Sequence, residues 1–196
     1  MNIRKLLSAD AASVMAMSLL CSCGQSGVLR LGTGNTGGNY YSYGTLLHEL
    51  DENGIEVKKT AGSQANLRLM NEGFIDMAIV QSDVLSEAVN GVGDFENEPV
   101  SGVRAVAGLY DEAFQIVVRS KSDINSIADL KGKKISVGDE GSGVAKNAEY
   151  LLLSAGVAFS SVEPVYMSYS DSAAALESGG YRCLFRYNRH SCHCCE

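Results

Sequence analysis

Residues 28–40 read VLRLGTGNTGGNY. Gly32, Gly34 and Gly37 spell G-x-G-x-x-G directly behind the apolar run Val28-Leu29-Arg30-Leu31, which is the spelling of a dinucleotide-binding loop. A loop of that kind also needs an acidic residue at the end of the next strand, where it grips ribose hydroxyls. The next strand, IEVKKTAG, ends in Lys58-Lys59-Thr60, and Glu56 stands at its start. The lysines would suit a 2′-phosphate, so a nucleotide-binding oxidoreductase stays open as one reading. Against it, the following helix begins Asn39-Tyr40-Tyr41, polar and bulky where close helix–strand packing calls for small residues. A P-loop is excluded because no G-K-[ST] follows. Glycines can also serve only to make a tight turn. Four of them within residues 32–38, ahead of a polar helix start, favour a loop that lets a ligand approach the backbone. The free N–H groups and positive dipole end of the helix suit a carboxylate as well as a phosphate.

Working outward, strands and helices alternate. VLRLG is a strand and Asn39 to Leu50 a helix with Tyr40, Tyr43, Leu47 and Leu50 on one face. IEVKKTAG is a second strand. Ser63 opens a helix carrying Leu67, Met70 and Phe74, IDMAIVQSD is a third strand, and Ser82 or Asp83 caps VLSEAVNG. VRAVAGLY and EAFQIVVRS read as extended segments around a turn at Asp111-Glu112. SIADLKG, KKISVG, a helix capped by Ser142, VEPVYM and DSAAALESGG complete the alternation. The pattern predicts an α/β fold with a mostly parallel sheet. VGDEGSGVAKN echoes LGTGNTGGNY as a second Gly-rich strand–helix loop. In such sheets ligands bind beyond the carboxyl ends of strands, so the two loops can face one cleft.

The chain has 196 residues, 45% of them hydrophobic, and a net charge of −7. That acidity argues against a nucleic-acid partner. A short positive start with Arg4 and Lys5, an apolar core over 11–20 and the sequence Leu20-Cys21-Ser22-Cys23 resemble a lipoprotein signal over residues 1–23 with Cys23 as the lipidated residue. An ordinary cleaved signal peptide and a buried first helix are the other readings. Six cysteines are present, and none lies between Cys23 and Cys183. The middle of the chain therefore depends on its apolar core. His48 stands alone and no nucleophile–base pair is visible, so no enzyme and no cofactor is expected.

Four successive motifs, GTGNTGGNYYSYG, TAGSQANLRLMNEGFIDMAIVQSD, GLYDEAFQIVVRS and SIADLKGKKISVGDEGSGVAKNAEYLLLSAG, together resemble the TAXI family, the extracytoplasmic solute receptors of TRAP transporters. The resemblance implies a type II periplasmic-binding-protein fold, lobe 1 over 28–112 and a partial lobe 2 over 113–180. It implies closure on a small organic anion, such as glutamate or another carboxylate, which passes to membrane permease subunits driven by an ion gradient. Site residues implied by it are Thr33, Gly34, Gly38 and Tyr40 from the first loop, Gly62, Ser63 and Asn66 from the second, Gln81 and Ser82 from the third, and Ser142 and Gly143 from the opposite lobe. Ser63, Ser142 and Asn66 also read as local helix caps, and Tyr40 as a core residue. A receptor that feeds a sensor kinase is the alternative to transport.

Residues 181–196, YRCLFRYNRHSCHCCE, break the pattern. The resemblance decays near Gly180, where the family continues, and the composition shift predicts an aberrant, frameshifted tail that leaves the first lobe incomplete. Zinc binding by Cys183, His190, Cys192, His193, Cys194 and Cys195 is the rival reading. Their spacing matches no zinc module, so no metal is expected.

Overall fold

The computed structural model of the chain describes residues 27–188. Lobe 1 is built from β1 (Leu29–Gly32), α1 (Asn39–Leu50), β2 (Ile55–Lys58), α2 (Ser63–Asn71), β3 (Met77–Ala78) and α3 (Ser82–Asn90). Its strands lie in the order β2-β1-β3, all parallel, with Leu31 opposite both Val57 and Met77. Parallel neighbours need a helical crossover, and α1 and α2 supply it. Leu67, Val84, Ala88, Phe95 and Val100 form this lobe's apolar cluster. Across β1 and β3, Arg30 grips Asp76 with two side-chain bonds, Nε–Oδ2 at 2.8 Å and Nη2–Oδ1 at 2.9 Å.

A connection over 101–112 enters lobe 2 without strand pairing among the described residues. The extended VRAVAGLY segment expected there thus contributes no ladder. Lobe 2 follows as β4 (Ala113–Val118), β5 (Lys134–Gly138), α4 (Gly143–Ser154), β6 (Glu163–Tyr166), α5 (Tyr169–Ser178) and β7 (Cys183–Asn188). The strand order is β4-β7-β5-β6, with β4 antiparallel to β7 and the remaining pairs parallel. Ile135, Val137, Ala148, Leu152 and Phe185 are fully enclosed in its core.

Within the run expected to be aberrant from residue 181, Cys183–Asn188 form strand β7. Gly179, at φ 82°, ends α5 in the left-handed conformation that glycine adopts freely. The chain then turns back between β4 and β5, and Cys183, Leu184 and Phe185 bury themselves in the middle of the sheet. The bias toward Cys, His and Arg masked a short apolar stretch of strand character. Cys183, offered as a metal ligand, is a core thiol, its pKa pushed up to about 12 by burial. Residues 189–196, with the other tail cysteines and histidines, lie outside the described residues, as does Cys23.

Candidate functional site

Four helices begin where strands or extended segments end, and their N-termini meet. Gly38 precedes α1, Gly62 precedes α2, Gln81 precedes α3 and Ser142 precedes α4. All four positions line one cavity. Its volume is about 540 Å³ with the open mouth included, room for a small solute. Each helix N-terminus carries roughly half a positive charge and free N–H groups, so the backbone contributes positive potential to the cavity.

Two glycines are required by the approach of the lobes. Gly62 has φ 120° and ψ −150°, a conformation essentially reserved for glycine. A Cβ on Gly62 would stand 3.6 Å from Ser142 Cβ. On Gly143 a Cβ would fall onto Gln81 Oε1, so the start of α4 abuts the third loop of lobe 1. Ala65 N donates to Gly141 O at 3.1 Å, another bond between lobes. Farther along α4, Lys146 Nζ reaches Glu87 Oε2 at 2.6 Å and Asp94 Oδ2 at 2.8 Å. Asn147 Nδ2 donates to Asp83 Oδ2 at 2.9 Å, and Tyr150 Oη to Glu87 Oε1 at 2.9 Å. Burial opposes the Lys146 charge, but the two carboxylates outweigh it and hold the ammonium above its ordinary pKa. Lys146 in turn holds Asp94 below the usual carboxylate range.

Of the residues expected at the site, Gly34, Gly38, Tyr40, Gly62, Ser63, Gln81, Ser142 and Gly143 line the cavity. Ser63 opens α2 without capping it, because its Oγ accepts from Gln81 N at 3.0 Å and so ties the second loop to the third. Ser142 caps α4, its Oγ accepting from Ala145 N at 3.1 Å. Thr33, Asn66 and Ser82 do not line the cavity. Thr33 is fully buried and its Oγ1 donates to Lys58 O at 2.9 Å. Asn66 is equally buried, its Nδ2 donating to Thr33 O at 2.8 Å and to Ile79 O at 2.9 Å. Both act behind the loops as braces. Ser82 is exposed on α3, which begins after Gln81 with no side-chain cap from Ser82 or Asp83.

Sequence reasoning missed Asn35, Asn39, Glu112, Asp139 and Tyr169, all on the lining. Glu112 comes from the connection between the lobes. The signal for it was an acidic residue set between the apolar runs VRAVAGLY and AFQIVV, which read as a turn. Tyr40 Oη donates to Glu112 Oε2 at 3.1 Å, and Tyr110 Oη to Glu112 Oε1 at 3.3 Å. Tyr110 is stacked on Tyr43 of α1, with ring centroids 4.9 Å apart. Burial, with a smaller contribution from the Asp83 carboxylate, raises the Glu112 carboxyl above its ordinary value, and hydrogen bonds from Tyr40, Tyr110 and Gln81 only partly counter this. Burial and the neighbouring carboxylate push the Tyr40 phenol up as well.

Two α/β lobes that meet at a cleft lined by their helix N-termini are the architecture of the periplasmic-binding-protein fold, and solved structures share it. The alkanesulfonate-binding protein SsuA from Xanthomonas axonopodis pv. citri is 20% identical, with a TM-score of 0.55 over 83% of this chain and 55% of that one. A cysteine-binding protein from Campylobacter jejuni gives 17% identity and a TM-score of 0.52 over 83% of this chain and 64% of that one. An arginine-bound ArgBP from T. maritima gives 14% and 0.55 over 83% and 74%. At these identities the likeness is one of fold, and the chain spans only about half to two thirds of the first two proteins. The profile of the NMT1-like family matches residues 31–183, and the chain belongs to that family.

Proposed function

We propose that the chain is the solute-capturing part of an extracytoplasmic receptor that serves a membrane carrier and performs no chemistry. The observation that carries this reading is the meeting of four helix N-termini, from both lobes, around one small cavity. Backbone N–H groups there suit a carboxylate, with Gln81, Ser142 and Tyr40 placed to read its remaining polar atoms. The four motifs shared with TAXI receptors support a TRAP-type permease as the partner and a carboxylate such as glutamate as the solute. The lipobox-like Leu20-Cys21-Ser22-Cys23 supports anchoring through Cys23. Replacing Cys23 by Ala should then release the protein from the membrane fraction.

A thermal-shift screen of carboxylates and amino acids tests the receptor reading. A true solute at a hundredfold excess over its Kd stabilises by about 2.7 kcal/mol. The reading predicts such a shift for at least one compound and its loss in Gly143→Ala. A panel with no binder would remove the reading.

A further inference from the structure

Helices α3 and α4 belong to different lobes, yet their polar residues meet in matching order. On α4, Gly143, Lys146, Asn147 and Tyr150 are spaced i, i+3, i+4 and i+7, which places them on one stripe. Gln81, Asp83 and Glu87, at the start and in the body of α3, answer them. Gly143 abuts Gln81, Asn147 Nδ2 donates to Asp83 Oδ2, and Lys146 Nζ and Tyr150 Oη both reach Glu87. Asp94, from the single helical turn over 93–95, takes the ammonium of Lys146 and the amide Nε2 of Gln64, each at 2.8 Å. Asp83, Glu87, Asp94, Lys146, Asn147 and Tyr150 are not among the residues that line the cavity. The seam therefore joins the lobes through groups that do not touch a solute.

The energetics of such a seam differ from those of an apolar interface. The Lys146 side chain is only 6% exposed, so with the lobes in contact its ammonium has given up water and depends on the two carboxylates of lobe 1. Separation of the lobes returns the ammonium and both carboxylates to water, and their hydration offsets much of the lost attraction. An apolar seam has no such offset, since opening it exposes surface that water does not solvate favourably. Directed, charge-assisted bonds thus fix one geometry when the lobes touch and still allow them to part.

We propose that the α3–α4 seam is a latch that closes the two lobes by protein contacts alone, so that closure does not wait for a solute and passage into or out of the cavity waits on the latch. The inference goes beyond the receptor reading and does not depend on which solute the cavity takes. The chain carries its own reporter of the latch. Ala65 is the third residue of α2, where a helix offers no partner for the N–H. That N–H donates instead to Gly141 O of lobe 2 at 3.1 Å. Its exchange with solvent hydrogen therefore reads separation of the lobes. The Leu152 amide, inside α4 and fully buried, reads unfolding of lobe 2 instead.

The test is residue-resolved hydrogen exchange and small-angle X-ray scattering on the full chain, dialysed exhaustively against buffer with no solute added. Wild type is compared with the triple variant Glu87→Gln/Asp94→Asn/Lys146→Met, which keeps the side chains close in size and leaves no charge unpaired. Wild-type scattering is expected to fit the closed arrangement. In the triple variant the Ala65 amide should exchange about tenfold or more faster, the scale of one lost charge-assisted bond, with Leu152 held within about twofold. A wild type whose scattering requires separated lobes overturns the proposal. So does a triple variant that folds and exchanges Ala65 no faster, and so does one in which Ala65 and Leu152 accelerate together, the mark of a structural brace. If the triple variant does not fold, Asn147→Ala/Tyr150→Phe replaces it, with an acceleration at Ala65 of about twofold or more expected for two weaker bonds and none overturning the proposal. Because no solute enters the experiment, each of these failures leaves the receptor reading standing.

Discussion

Behind the glycine loop of lobe 1 stand polar groups. Thr33 Oγ1 holds Lys58 O, Asn66 Nδ2 holds Thr33 O and Ile79 O, and Thr60 Oγ1 donates to Asn66 Oδ1 at 2.7 Å. Behind the equivalent loop of lobe 2 stands an apolar wall of Ile135, Val137, Val144, Ala148, Leu152 and Phe185. The same strand–loop–helix device is thus anchored chiefly by directed bonds in one lobe and chiefly by packing in the other, where one buried pair, Ser136 Oγ and Ser172 Oγ at 2.6 Å, joins β5 to α5. The difference has a physical source. The strands of lobe 1 are four, four and two residues long, too short to hold loop ends by ladder bonds alone. Asn66 performs that task from a helix. In lobe 2, β5 and β7 run deeper and the core beneath fixes the loop.

The sharpest way to break this contrast is to empty the lobe 2 wall. Phe185 is fully buried and stacks on Phe114, with centroids 5.5 Å apart. Phe185→Ala should cost about 3–5 kcal/mol in urea denaturation. A cost below about 1 kcal/mol would mean that β7 is not a central strand.

Next in size is the polar brace. Asn66→Ala removes the donor to two buried carbonyls, each costing about 1–3 kcal/mol when left unpaired. A loss of about 2–4 kcal/mol is expected, together with weaker ligand response although Asn66 touches no cavity space. Asn66→Asp should be no better, because a carboxylate cannot donate to those carbonyls. Retained stability in both variants would make the braced-loop account untenable.

A smaller effect is expected where the lobes join. Lys146→Met strips the partner from Glu87, whose side chain is 19% exposed, and from Asp94, which is half-exposed and stays wet. Only Glu87 is left short of solvent, so about 1–2 kcal/mol is expected. Loss of the ion pair should also open the cleft, read as a larger radius of gyration by X-ray scattering. An unchanged radius would show that the Gln81–Gly143 and Ala65–Gly141 contacts hold the lobes without it.

How much of this was legible beforehand follows from the same contrast. Helix starts and stops were readable because the Gly and Ser residues that set them act locally, as at Gly38, Ser142 and Gly179. Eight of the loop residues implied by the family resemblance line the cavity. Thr33 and Asn66 were ligand contacts only as the resemblance implied, and a buried polar side chain and a ligand-facing one have identical local sequence. Only the partner carbonyls, up to 33 positions away, distinguish them. Glu112 was invisible because its value depends on Tyr40, which lies 72 positions earlier. The sheet-centre position of β7 depends on pairing with β4 and β5, and neither contact leaves a trace in residues 181–188.

The smallest effect separates the lobes by acid. In lobe 1, the bonds from the Arg30 side chain and backbone N–H hold Asp76 at a pKa of about 2, against 3.8 ordinarily. The folded value lies below the unfolded one. The resulting stabilisation is therefore complete above pH 3.8 and is lost as pH falls toward 2. In lobe 2, Asp123 and Asp129 are also depressed, by Lys133 and by backbone N–H groups of 125–126 respectively. A wild-type acid titration alone therefore cannot assign the loss to either lobe. Asp76→Asn isolates it, since the variant should be less stable at pH 6 and should converge on wild type as the pH approaches 2. The Asp76 and Arg30 side chains are 26% and 35% exposed, so screening keeps the difference near or below about 1 kcal/mol. Curves that stay parallel across this window would show that the Arg30–Asp76 clamp adds nothing to lobe 1, leaving Asn66 as its main polar anchor.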